Sequence, residues 1–223
     1  MVFCSPFFHR NNPAELFAGL FPFSSFMRDQ EKSSQREITN EEDLRDIQKV
    51  LGGKTENFKQ LIERHQSMVS SMMRRFTRNP ELHEELVQDV FVEVYFSLSS
   101  YKAKAPFSHW LARIATRAGY RFWKKRDREA RIETVPLLET DRPLYHPATK
   151  MNPADAAETL HDLLNLLPPR DRLIITLRFV DDRSVEETAR MTGWSEIMVK
   201  VQTWRAKSKL KKILLQKGVK TRK

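Results

Sequence analysis

The clearest periodicity in the chain runs through Phe58, Leu61, Ile62, His65, Met68, Val69, Met72, Met73 and Phe76, which recur at spacings of three and four. That spacing places them on one stripe of an α-helix and predicts an amphipathic core helix. His65 interrupts the stripe. With no Cys, His or carboxylate cluster beside it at metal spacing, it is expected to be a core or boundary histidine and not a ligand. Upstream, residues 38–51 predict a shorter polar helix with Thr39 as its cap and Gly52 and Gly53 as its stop. Downstream of a turn at Asn79 and Pro80, residues 81–97 predict a helix with two apolar zones. Leu86, Val90, Phe91, Val94 and Leu98 make a core arc, whereas Val92 and Phe96 stand among Glu85, Asp89 and Glu93. A loop at 99–106 leads to a helix over 107–126, whose Phe107, Leu111, Ile114, Ala115, Ala118 and Phe122 point one way. Arg113, Arg117, Tyr120, Arg121 and Lys124 take the far side, with His109 and Trp123 at its border.

The periodicity then stops. Pro136, Pro143, Pro147 and Pro153 interrupt residues 127–153, which read as a linker. Helical patterns resume over 154–167, ended by Pro168 and Pro169, and over 170–180, with Leu173, Ile174 and Leu177 inward. In the next stretch, Ser184 and Glu187 have the spacing of a capping box, Gly193 suits a left-handed stop, and Ser195 suits an N-cap. At about 100° per residue, Val199, Thr203, Ala206, Leu210 and Ile213 share one side of the last helix. Lys200, Trp204, Arg205, Lys207, Ser208 and Lys211 share the other. A short helix, a tight turn and a basic amphipathic helix have the form of a helix-turn-helix.

The expected fold class is therefore all-α: two small helical domains joined by a flexible linker, the C-terminal one containing a helix-turn-helix. The boundaries are a Phe-rich leader over 1–40, read as poorly ordered, an N-terminal domain over 41–131, a Pro-rich linker over 132–153, and a C-terminal domain with a basic tail over 154–223. The leader's alternative reading is a docking segment.

Charge sharpens the picture. The net charge is +10, which favours a polyanionic partner. Cationic residues interleaved with Tyr120 and Trp123 suit a single strand, with cations on phosphates and rings on unpaired bases; a solvated cationic face accounts for the Arg and Lys but poorly for the rings. The acidic face holding Val92 and Phe96 suits a basic partner, or is simply solvated. A single Cys4 leaves no internal disulfide. No apolar run approaches the roughly 20 residues of a membrane helix, so no membrane insertion is expected. With six Gly in all, and no phosphate loop, nucleophile elbow or metal-ligand set, no enzyme and no cofactor are expected.

The stretches ELVQDVFVEVYFSL (85–98), FSHWLARIATRAGYRFWKKR (107–126) and LLNLLPPRDRLIITLRFVDDRSVEETARMTGWSEIMVKVQTWRAKSKL (163–210) resemble bacterial sigma factors of the sigma-70 type, in the extracytoplasmic-function group. The resemblance implies a cytoplasmic promoter-specificity subunit of RNA polymerase core. Glu85, Asp89, Val92, Glu93 and Phe96 would dock on the polymerase clamp coiled coil, and the C-terminal domain on the flap. Arg113, Arg117, Tyr120, Arg121, Trp123 and Lys124, with the 99–106 loop, would hold the melted minus-ten strand. Ser195, Glu196, Lys200, Val201, Trp204, Arg205 and Lys207 would read duplex DNA at the minus-thirty-five element. An anti-sigma factor is a further candidate partner. The run Met198-Val199-Lys200-Val201-Gln202 departs from the group's usual recognition helix, as does Thr203, so the promoter half-site is expected to differ too. The alternative is an autonomous helix-turn-helix regulator.

Overall fold

A computed structural model of the chain describes residues 30–132 and 153–216, and every regular element among them is helical. Helices α1 (Gln30–Leu51), α2 (Phe58–Met73), α3 (Pro80–Ser97) and α4 (Phe107–Ile132) come first. They are followed by α5 (Pro153–Asn165), α6 (Pro169–Ile175, widened into a π-turn over Thr176–Val180), α7 (Val185–Thr192) and α8 (Glu196–Gln216). Most of the leader, the Pro-rich linker and the end of the basic tail lie outside the described residues, and the readings made for them lie there too. Among the described residues no helix is long and apolar enough to cross a membrane.

α1 begins at Gln30, so Thr39 lies inside the helix and does not cap it. Residues 30–38 hold no Gly or Pro to stop the helix extending towards its N-terminus. The helix is docked by charge as well as by Ile47 and Val50. The buried Asp43 accepts a hydrogen bond from Arg64 at 2.6 Å and lies 2.9 Å from His65 Nε2, while Asp46 accepts from Arg64 at 2.9 Å. His65 is thus a buried partner of a carboxylate, edge-on to Phe107 at 5.3 Å.

The stripe expected on α2 is buried at Phe58, Leu61, Val69, Met72 and Met73. α3 opens as its sequence indicates: Asn79 Oδ1 accepts from the Leu82 amide at 3.0 Å, and Pro80, which lacks an amide proton, takes the first position. α4 crosses both. At Gly119 its backbone rides on Phe76, so closely that a Cβ would lie 2.4 Å from the ring.

A second core gathers Leu160, Leu164, Leu167, Ile174, Ile175, Val199, Ala206, Leu210 and Leu214. α6 separates residues that its periodicity groups together. Ile174 joins this second core, whereas Leu173 and Leu177 join the first, beside Phe76 and Trp123. A short helix apolar on two sides is buried on two sides, and so α6 is one of the elements at which the two sets of helices meet, together with α7, which packs on α4.

Candidate nucleic-acid interface

The helix-turn-helix is locally encoded. Ser184 Oγ accepts from the Glu187 amide at 3.0 Å, and the Ser184 amide donates to the Glu187 carboxylate at 2.8 Å, closing the capping box. That backbone bond, with Arg183, holds the Glu187 carboxyl below its ordinary pKa. Gly193 takes φ 78°, the left-handed region that suits glycine. Ser195 Oγ then accepts from the Met198 amide at 3.2 Å and starts α8.

On α8, Val199, Ala206 and Leu210 face the core, with Thr203 half-buried. Gln202 faces inward as well, where its amide donates to the buried Asp171, which also pairs with Lys209. Periodicity alone did not mark Gln202 as buried. Glu196, Lys200, Val201, Trp204 and Arg205 are exposed together on the outer face. Lys207 is half-buried with its ammonium 4.6 Å from the Phe179 ring centroid, and burial, then Arg178, lowers its pKa. Ile197 and Met198, which sequence reasoning passed over, are exposed on α8 too.

On α4, Arg113, Arg121 and Lys124 are exposed. Arg117 is half-buried beneath the helix-turn-helix turn, and a Cβ on Gly193 would lie 2.6 Å from its guanidinium. Burial, reinforced by Arg113 and Arg121, lowers the Arg117 pKa. Tyr120 is half-buried edge-on to Trp194, with ring centroids 6.3 Å apart, and burial raises its hydroxyl pKa.

Trp123 requires a correction. It is 5% exposed, not an outward ring poised for bases. Its Nε1–H donates to the Phe76 carbonyl at 2.8 Å, its ring packs on Phe76 at 4.4 Å, and the Arg172 guanidinium lies 3.9 Å over its centroid. The border position is open on an isolated α4; α6 covers it. Burial there lowers the Arg172 pKa to about 10, which leaves the cation charged at neutral pH.

The acidic face on α3 is as the sequence indicates: Phe96 is 80% exposed, and Val92, Glu85 and Asp89 are exposed beside it. Glu93, half-buried, forms an ion pair with Arg121 of α4. A groove of about 640 Å³ between α3 and α4 brings Glu85, Asp89, Val92 and Glu93 opposite Arg121 and Lys124. The acidic and cationic faces are therefore neighbours. Among the described residues no group of three or more His, Cys, Asp or Glu could hold a metal ion.

An ion pair spans the two helical sets, Arg75 to the buried Asp181 at 2.6 Å. Burial raises the Asp181 pKa to about 6, against the pull of Arg75 and Arg183. An unfolded aspartate titrates near 4, so the stability Asp181 contributes is full below about pH 4 and is lost as pH rises through about 6. Asp181→Asn stays neutral and still accepts from Arg75. It is expected to stabilise the protein at pH 7.5 by up to roughly 3 kcal/mol and by much less at pH 4.5. Urea unfolding at the two pH values checks this, and an equal gain at both rules out the burial of charge as the cause.

Residues 61–129 match the family described as Sigma-70 region 2, and residues 157–210 that described as Sigma-70, region 4. The chain is 24% identical over 169 residues to the ECF RNA polymerase sigma-E factor of Escherichia coli strain K12, an alignment covering 72% of this chain and 88% of that one. It is 24% identical over 185 residues to the RNA polymerase sigma-H factor of Pseudomonas aeruginosa, covering 79% and 96%. Among solved structures it is similar to CnrH, determined in complex with the cytosolic domain of CnrY. That likeness has a TM-score of 0.50 and 25% identity, and covers 78% of this chain and 97% of that chain.

Proposed function

Because the chain belongs to the sigma-70 family of RNA polymerase sigma factors, in its extracytoplasmic-function group, we propose that it binds RNA polymerase core and directs promoter recognition, DNA melting and transcription initiation. The observation that carries this is the succession, on one chain, of region 2 at 61–129 and region 4 at 157–210. It acts in the cytoplasm, with the polymerase, and catalyses no step itself. The two working units are residues 41–131 and 154–223.

The core-docking surface is Glu85, Asp89, Val92, Glu93 and Phe96. Its support is chemical: an apolar residue as exposed as Phe96, rimmed by carboxylates, suits a basic partner helix with an apolar anchor. The strand-holding surface of α4 is Arg113, Arg117, Tyr120, Arg121 and Lys124, with Trp123 holding the helix from behind. Arg117 and Tyr120 lie under Gly193 and Trp194, so engaging a strand with all five side chains requires α4 and α7 to part. The minus-thirty-five reader is the outer face of α8, through Ser195, Glu196, Lys200, Val201, Trp204, Arg205 and Lys207. An anti-sigma factor is a further proposed partner.

Run-off transcription with purified core, with and without this protein, on genomic fragments tests the reading; no protein-dependent transcript sinks it. The double reversal Glu85→Lys with Asp89→Lys is expected to weaken core binding at least tenfold, since like charges then meet across the interface. Unchanged capture of core by the variant counts against this surface.

A further inference from the structure

The outermost line of α8 is apolar except at Ser208. At about 100° per residue, Ile197, Val201, Trp204 and Ser208 fall within about 60° of one another, diametrically opposite the buried line of Val199, Gln202, Ala206 and Leu210. Ile197 is 75% exposed, Trp204 69% and Val201 43%. Cations flank this ridge on both sides, Lys200, Lys207 and Lys211 along one edge and Arg205 and Lys212 along the other. Neither half of the pattern is ordinary for a solvated helix. Exposed apolar side chains gain nothing from water, and the cations stand back from the ridge where an inserted helix would meet the two phosphate backbones. Met198 stands apart from the ridge, its sulfur in contact with Arg170 at 3.0 Å.

We propose that the ridge of Ile197, Val201 and Trp204 reads the minus-thirty-five half-site through thymine methyl groups in the major groove, with the flanking Lys and Arg on phosphates. The inference rests on the sigma-factor reading and specifies how α8 discriminates. Of the four bases only thymine presents a methyl group to the major groove, and apolar side chains are its complement. Along this central line, as distinct from the flanking Lys200 and Arg205, hydrogen-bonding readout has little to work with. Gln202, the side chain suited to adenine, is turned inward onto Asp171, and the central line offers hydrogen bonds through the Trp204 indole N–H and through the Ser208 hydroxyl, which already donates to the Trp204 carbonyl at 3.0 Å.

The test uses holoenzyme assembled from core and the full chain. Its preferred upstream element is obtained by selection from randomised duplexes. Each thymine in that element is then replaced by deoxyuridine, which deletes the methyl and keeps the base pair. A buried methyl corresponds to about a 3- to 5-fold change in binding, so each contacted thymine is expected to lose about that much when replaced. The triple variant Ile197→Ala, Val201→Ala, Trp204→Ala changes exposed positions only. It is expected to bind core normally and to show no uracil effect. Elements without thymine, equal binding of thymine and uracil duplexes, or a uracil effect that survives in the triple variant would each overturn the proposal. So would a triple variant that loses core binding, which would place the ridge against polymerase. Failure of the wild-type chain to bind core at all overturns the sigma-factor reading instead, so the two failures are distinct.

Discussion

Trp123→Ala is expected to destabilise the protein by about 3–5 kcal/mol, the range for deleting a large buried aromatic. The ring packs at 4.4 Å on Phe76, and its indole proton satisfies the Phe76 carbonyl. The same ring is the partner face of the buried Arg172, whose Nε has no hydrogen-bond partner. Alanine would leave a cavity, a bare carbonyl and a buried cation without its aromatic neighbour. Trp123→Phe keeps most of the packing and loses the donor, for about 1–3 kcal/mol. Urea unfolding measures both. A tryptophan used to stack on bases predicts the opposite pattern: exposed-site changes within about 0.5 kcal/mol, with loss of promoter opening in the alanine variant and rescue by phenylalanine.

Asp43→Ala carries the second large effect, about 2–3 kcal/mol. Its carboxylate is the shared acceptor for Arg64 at 2.6 Å and His65 at 2.9 Å. Without it the buried His65 Nε2 loses its acidic partner, while Arg64, only partly buried, keeps Asp46 and reaches solvent. That retained pair holds the loss below the figure for a fully isolated buried charge. Melting should fall by about 2–4 °C per kcal/mol for a chain of this size. The loss should be local as well: amide exchange across 41–51 should accelerate more than exchange across α6. Unaltered protection of α1 would mean that Ile47, Val50 and the retained Asp46–Arg64 pair dock it without Asp43. Because the region 2 match begins at residue 61, this network ties a helix upstream of that match onto the domain.

The helix-turn-helix was legible because each of its devices is local. A capping box needs Ser184 and Glu187, a left-handed stop needs Gly193, and a helix start needs Ser195; all are read within a few residues of one another. The core stripe of α2 and the exposed Val92 and Phe96 followed from a 3.6-residue period for the same reason. His65, too, was recognisable as a core or boundary histidine, though its partner was not.

What sequence alone determined, then, is which elements form and which face of each is apolar, since backbone hydrogen bonding and side-chain direction repeat over one turn of helix. Only the tertiary structure decided where a border position ends up. Trp123 is buried because α6 arrives from across the linker, and Leu173 and Ile174, adjacent in the chain, go to different cores. Gln202 turns inward because Asp171 waits there, and Arg75 meets Asp181 from 106 residues away. Periodicity describes a helix in isolation; burial is a property of the pair of surfaces that meet, and the second surface is encoded elsewhere in the chain.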